Sequence, residues 1–297
     1  MPRRSSRNGA CTGVVVNNAV FLVTGANSGI GRATARALAR RGEVVVMACR
    51  DLARGEAARA ALLAEVPDAD LHVLRCDLAE LASVRSFAAE VSTRFPGVRA
   101  LVHNAGVYPS ERTLSADGFE LMLAVGFLGP FLLTHLLRPA LIAAAPARVV
   151  QLAGIYHRRG SIDLTDLQWQ RRPWDRAAAN NQVQLARVIF MVELARRLGG
   201  LGVTANAVHP GAVLTEALDQ APWYLRLLAH TLARPGFVRP DRGAAPVVRL
   251  ATAPDLADVT GCFFDRLVPT PHIPAALDSE LAAQLWAQAE QLVGIAG

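Results

Sequence analysis

VFLVTGANSGIGRATARALAR, residues 20–40, decides the fold. Val20 to Val23 form an apolar run of buried-strand type. Thr24 to Gly31 make a turn with glycines at 25, 29 and 31, and apolar residues recur at helical spacing from Ala33 onward. Strand, glycine turn and helix in that order predict a phosphate-binding unit. Gly25 allows the tight turn, Gly29 lets the backbone approach a pyrophosphate, and Gly31 lets helix and strand pack closely. Asn27, Ser28 and Ile30 complete the loop. The N–H groups of the first helical turn and the helix dipole then face an anion.

Outward from that unit, apolar strand runs alternate with helical patterns. Strands are expected at 20–24, 43–49, 71–76, 99–104, 148–153, 203–208 and 261–265. Helices are expected at 30–41, 52–65, 80–94, 117–143, 177–198, 241–252 and 276–293. Continuous apolar strands alternating with helices predict an α/β fold, a Rossmann-like doubly wound parallel sheet of about seven strands with helices on both faces. It is read as one domain over 19–297, preceded by a loose basic tail at 1–18. The irregular, proline-bearing stretch 212–240 reads as a substrate flap or a surface insertion.

The 297 residues are 52% hydrophobic and 19% charged, enough for a large core, and the net charge is +6. The positive charge is scattered, with short clusters at Arg3, Arg4 and Arg7 and at Arg158 and Arg159. No basic stripe is interleaved with aromatics, so no nucleic-acid partner is expected. All 31 residues counted as Lys plus Arg are arginine, so no Schiff base can form on a side chain. Cys11, Cys49, Cys76 and Cys262 fit neither a metal motif nor a dense disulfide framework, and a reduced cytoplasmic setting is expected. The apolar stretch from Phe119 to Leu137 holds Glu120, Gly126, Gly129, Pro130 and His135. It reads as a buried kinked helix rather than a membrane span.

Ligands of such a sheet sit at the carboxyl ends of its strands. Strand two ends in Arg50, where an acid would grip a ribose hydroxyl and an arginine suits a 2′-phosphate, which favours NADP over NAD. After strand three, Asp77 offers a carboxylate to an adenine amino group, followed by Leu78. Asn104, Ala105 and Gly106 follow strand four and let a cofactor pass closely. Pro210, Gly211 and Thr215 follow strand six.

TGANSGIG at 24–31, ACRD at 48–51, CDL at 76–78, HNAG at 103–106 and HPG at 209–211 together resemble the short-chain dehydrogenase/reductase family, nearest its retinol-dehydrogenase-like and WW-domain-oxidoreductase-like branch. HRRGSIDLTDLQ at 157–168 and DSELAAQLWAQAEQLVG at 278–294 extend the likeness. It implies NADP as cofactor, a small-molecule substrate, and a homodimer or homotetramer paired through the helices at 117–143 and 177–198. It also implies four catalytic groups: an asparagine in the middle helix, a serine after strand five, and a tyrosine and a lysine spaced YxxxK. By local motif those positions read Gly126, Gly154, Asn180 and Gln184. Amide side chains do not titrate and cannot act as general acid or base. The two glycines are expected to enlarge the crevice. Tyr156, Asn180 and Gln184 are the candidate catalytic groups, with Asn181 completing an amide cluster, and Tyr108 is a further candidate for ligand contact.

Selective loss on that pattern leads to an expectation of a redox-neutral enzyme of specialised metabolism, performing cyclisation, rearrangement, elimination or isomerisation. Two alternatives stand beside it: a non-catalytic NADP-binding sensor or partner subunit, and an NADP-dependent oxidoreductase with a replacement acid such as Tyr156.

Overall fold

A computed structural model describes residues 19–211 and 239–295. The tail expected over 1–18, residues 212–238 of the expected flap, and Thr215 with them, lie outside the described residues. Eight strands form one sheet: β1 Val20–Thr24, β2 Val45–Cys49, β3 Leu71–Arg75, β4 Val98–His103, β5 Ala147–Leu152, β6 Val203–His209, β7 Phe263–Asp265 and β8 Val268–Thr270. Their order is β3-β2-β1-β4-β5-β6-β7-β8. All neighbours pair in parallel except β7 and β8. The eighth strand is the departure from the expected seven. It is a three-residue edge strand whose Pro269 lies opposite Phe264, and proline is tolerated at an edge because no ladder bond is demanded of it.

The helices are α1 Gly29–Ala39, α2 Leu52–Glu65 and α3 Leu81–Arg94, then α4 Leu121–Ala143, and α5 Arg176–Arg197, α6 Pro240–Thr252 and α7 Ser279–Val293. Successive side chains of β1 alternate between two cores. Val20 and Leu22 face a core built with α3, α4, α5 and α7. Phe21 and Val23 face one built with α1, α2 and α6. Both faces of the sheet are thereby covered, which is why β1 and β2 read as nearly unbroken apolar runs.

Helix α4 begins later than the expected residue 117. Leu114 and Glu120 form an isolated antiparallel bridge ahead of it, and the Glu120 carboxylate caps the helix by accepting the Leu123 N–H at 2.8 Å. Ala124–Leu128 is a π-turn within it. By length and composition α4 could cross a membrane, but 78% of its most apolar window is buried inside the protein. Its middle meets α5 and α7 in an aromatic cluster. Phe131 lies 4.8 Å from Trp286, 5.4 Å from Phe190 and 5.9 Å from Phe127, ring centre to ring centre.

Phe131 is 1% exposed and joins three elements, so Phe131→Ala should destabilise the protein by about 3–5 kcal/mol through lost packing and a residual cavity. Denaturant unfolding measures this. A loss under about 1 kcal/mol, the size of an ordinary substitution, would show that the cluster is not a keystone.

Candidate active site

Strand order reverses between β1 and β4, and the crevice of a doubly wound sheet opens at that point. Here the two strand ends are laced together. Thr24 Oγ1 accepts the backbone N–H of Asn104 at 3.0 Å and of Ala105 at 3.1 Å. The Asn104 amide donates back to Thr24 O at 2.8 Å and Gly25 O at 3.3 Å. The side-chain nitrogen of Asn104 therefore shapes the turn.

The glycine turn fits a pyrophosphate. Gly25 and Gly29 have φ of +65° and +53°, a region disfavoured for residues with a Cβ. A Cβ at Gly31 would lie 2.3 Å from Gly25 O and 2.5 Å from Asn104 Nδ2, so only glycine lets α1 sit this close. At Gly29, by contrast, a Cβ would meet nothing within 4 Å, which leaves the approach to the backbone open. Ser28 is the N-cap of α1, yet its side chain makes no capping bond. The first helical N–H groups thus remain available to an anion. Asn27 borders that opening, half-buried, while Ile30 is buried in the core beneath it.

Arg50 stands exposed past the end of β2 with no hydrogen bond or ion pair among the described residues. Asp77 Oδ1 accepts the Ala79 N–H at 3.0 Å, and Ser83 Oγ accepts the Asp77 N–H at 3.0 Å. Part of the Asp77 carboxylate is therefore engaged in its own turn. Leu78 is buried, and its carbonyl would be 2.5 Å from a Cβ at Gly129, so α4 rests directly on this loop. Pro210 and Gly211 close the far side of the described crevice, with Gly211 at φ +94°.

Past β5, Gly154 donates its N–H to Gln184 Oε1 at 2.7 Å, and Gln184 Nε2 donates to Asn180 Oδ1 at 3.2 Å. The amide pair expected to orient a substrate is thus partly used in tying the end of β5 to α5. Tyr156 is 53% exposed and Tyr108 is 50% exposed, so both stand at the rim. The Arg176 guanidinium lies over the Tyr108 ring at 3.7 Å, while the Tyr156 hydroxyl has no hydrogen-bond partner among the described residues. His157 is buried, its Nδ1 within 2.9 Å of Gly154 O, and burial lowers its pKa.

The expected enlargement of the crevice fails at Gly126. A Cβ there would be 2.4 Å from Val183 Cγ1 and 2.9 Å from an Arg187 terminal nitrogen. The room released by glycine is filled by Val183 and Arg187. A Cβ at Gly154 would meet Tyr156 at 3.4 Å and Gln184 at 3.6 Å, so the opening there amounts to no more than a methyl group.

Sequence reasoning missed Arg187. Its guanidinium donates to Gly126 O at 2.8 Å, Leu152 O at 3.1 Å and Ala105 O at 3.4 Å. The available signal was an arginine inside the apolar run from Leu185 to Met191. Desolvation by burial lowers its pKa to about 10. Nearby, His103 is wholly buried against Thr134 Oγ1 at 2.7 Å. Burial first, and the Arg187 charge second, hold His103 down to about 3 from an ordinary 6.5.

A family model described as enoyl-(acyl carrier protein) reductase matches residues 25–261. Retinol dehydrogenase 13 of Homo sapiens is 41% identical over 292 residues, spanning 97% of this chain and 88% of the relative. Dehydrogenase/reductase SDR family member 13 of Bos taurus is 42% identical over 92% of this chain and 73% of its own length. A crystal structure of an uncharacterized protein from Mycobacterium paratuberculosis has a TM-score of 0.74 at 34% identity, covering 94% of each chain. An NADPH-bound short-chain oxidoreductase from Pseudomonas aeruginosa, described as containing an atypical catalytic center, has a TM-score of 0.66 at 25% identity, covering 86% of this chain and 98% of its own.

His103 is neutral when folded and protonatable when unfolded. The unfolded chain therefore binds more protons between its two pKa values, about 3 and 6.5. Stability supported by the neutral ring is complete above 6.5 and falls as the pH drops below it. In His103→Gln the slope of unfolding free energy against pH, measured between these values, should decrease by up to about 1.4 kcal/mol per pH unit. An unchanged slope would contradict the burial of a neutral imidazole.

Proposed function

Because this chain belongs to the short-chain dehydrogenase/reductase family, we propose that it is an NADP(H)-dependent oxidoreductase working on an alcohol–carbonyl pair at the crevice beside β1, β4 and β5. The observation that carries this reading is the cradle at the switch point: Gly31 sealed against Gly25, Gly29 left open, and the first turn of α1 uncapped. Arg50, exposed past the end of β2 and without a partner among the described residues, supports the phosphorylated form of the cofactor. The relatives named retinol dehydrogenases support an apolar alcohol or aldehyde as substrate.

This replaces the expectation of a redox-neutral cyclising, rearranging, eliminating or isomerising enzyme, and with it the non-catalytic sensor or partner subunit. Relatives matched over 97% or more of the chain are named dehydrogenases. The earlier expectation weighed the residue types at four positions. Reaction class depends more on which cofactor the cradle holds, because the cofactor carries the hard chemistry.

When bound, NADP(H) supplies or accepts the hydride. The chain's residues orient the substrate and handle one proton, which is released on oxidation and consumed on reduction. Asn180 has its carbonyl oxygen engaged by Gln184 and keeps N–H groups for a substrate oxygen. The amides cannot carry the proton, so it passes between the substrate oxygen and water through the Tyr156 hydroxyl at the open mouth. Turnover on this route is slower than with an enclosed, activated acid.

NADPH absorbance followed over a panel of apolar aldehydes should fall with time, and Tyr156→Phe should lower kcat by about 10²-fold while leaving NADPH affinity intact. A flat trace for the wild type removes the oxidoreductase reading; an unaffected variant removes Tyr156 from it. Separately, Arg50→Ala should weaken NADPH binding by about 10- to 100-fold, the worth of a hydrogen bond to a charged group, and leave NADH binding unchanged. Equal weakening of both cofactors would contradict the assignment of Arg50.

A further inference from the structure

Arg187 is a buried charged group beneath the crevice floor that the proposed function leaves without a task. It is 7% exposed. Its three neighbours are backbone carbonyls from three different elements: the end of β4 at Ala105, the end of β5 at Leu152, and the π-turn of α4 at Gly126. A guanidinium has five N–H donors, and these contacts account for three. No carboxylate pairs with it among the described residues. His103, close enough for the Arg187 charge to oppose its protonation, is neutral. The positive charge is therefore unbalanced and shielded from water, where it acts with little screening.

The fold says which part of a dinucleotide would lie above it. The pyrophosphate belongs at the turn between β1 and α1. The 2′-phosphate side runs toward β2, where Arg50 stands. The other end of the molecule, the nicotinamide, must then run the opposite way across β4 and β5. That end crosses Ala105 and Gly106, and a Cβ on Gly106 would lie only 3.6 Å from an Arg187 terminal nitrogen. The nicotinamide ring is cationic in NADP⁺ and neutral in NADPH. A fixed buried cation beneath it repels the oxidised form alone.

We propose that Arg187 is a specificity-determining residue that biases this site toward NADPH over NADP⁺, so that the protein works as a reductase of carbonyl compounds. This rests on the NADP(H) reading of the crevice. Net reduction joins one hydride to the carbonyl carbon and one proton to its oxygen, oxidising NADPH to NADP⁺. Expulsion of the newly cationic ring is favoured by the same charge. Gly126 is what permits the arrangement, since a side chain there would collide with the guanidinium.

Calorimetric titration of the full chain with NADPH, NADP⁺ and adenosine 2′,5′-bisphosphate tests it. The wild type should bind NADPH at least about tenfold more tightly than NADP⁺, the scale set by one unit-charge repulsion in partly screened surroundings. In Arg187→Met that ratio should collapse toward one, while Arg187→Lys, which keeps the charge, should retain most of it. The bisphosphate carries only the adenine half and should bind all three proteins alike; a general structural role for Arg187 would weaken it too. A wild type that binds NADP⁺ as tightly as NADPH overturns the proposal without any variant, which covers the case in which Arg187→Met does not fold. An unchanged ratio in Arg187→Met also overturns it. A protein that prefers NADPH but consumes none with any carbonyl compound would keep the cofactor bias assigned to Arg187 and overturn its reductase consequence together with the oxidoreductase reading.

Discussion

Thr24 and Asn104 bind two diverging strand ends into one rim, and the rest of the site is arranged around that rim. Thr24 Oγ1 accepts two backbone N–H groups from the segment after β4, and Asn104 returns two bonds to the turn after β1. In a doubly wound sheet these are the strands between which connections part company; their ladder runs to Val23 opposite Val102, and the lacing carries the join past it into the two turns. With the lacing in place, Gly31 can sit against Gly25 O, α1 points its uncapped first turn into the crevice, and Ala105 and Gly106 form a floor. A ligand at this rim is recognised by backbone geometry more than by side chains. That explains why glycines dominate the turn.

The architecture was legible because both sheet faces are buried and the central strands are rich in apolar residues. Val20 to Val23, and the strands ending at Cys49 and His103, announce themselves in this way. What escaped reading was short or local. The strand Val268–Thr270 has three residues, one of them proline. The π-turn at Ala124–Leu128 keeps the composition of a helix and changes only its hydrogen-bond register, which no periodicity reveals. Asn104 was legible as a residue of the site, but its task as a tie was not, because only the fold brings Thr24 across from a position 80 residues earlier.

The other half of the crevice was read too literally. Glycine at 126 suggested empty space, yet Val183 and Arg187 of α5 occupy it. Close packing makes this the ordinary outcome: interiors rarely keep voids that a neighbour can reach. Gln184 and Asn180 suggested lost chemistry, yet they hold the end of β5 to α5 while leaving donors over. The inference from residue type to a redox-neutral reaction went further than the side chains allowed, and the dehydrogenase relatives correct it. A buried cation within an apolar helical run, such as Arg187, is the kind of local contradiction in a sequence that is worth following. Burying a charge is costly unless hydrogen bonds or an ion pair offset it, and here three backbone carbonyls accept from the guanidinium.

Amide hydrogen exchange with and without NADPH tests the central claim most directly, since that claim concerns where a dinucleotide lies. The account predicts new protection at residues 25–31, 50–51 and 104–106, with little change along β7 and β8. Unchanged exchange at the glycine turn in the presence of saturating NADPH would contradict it.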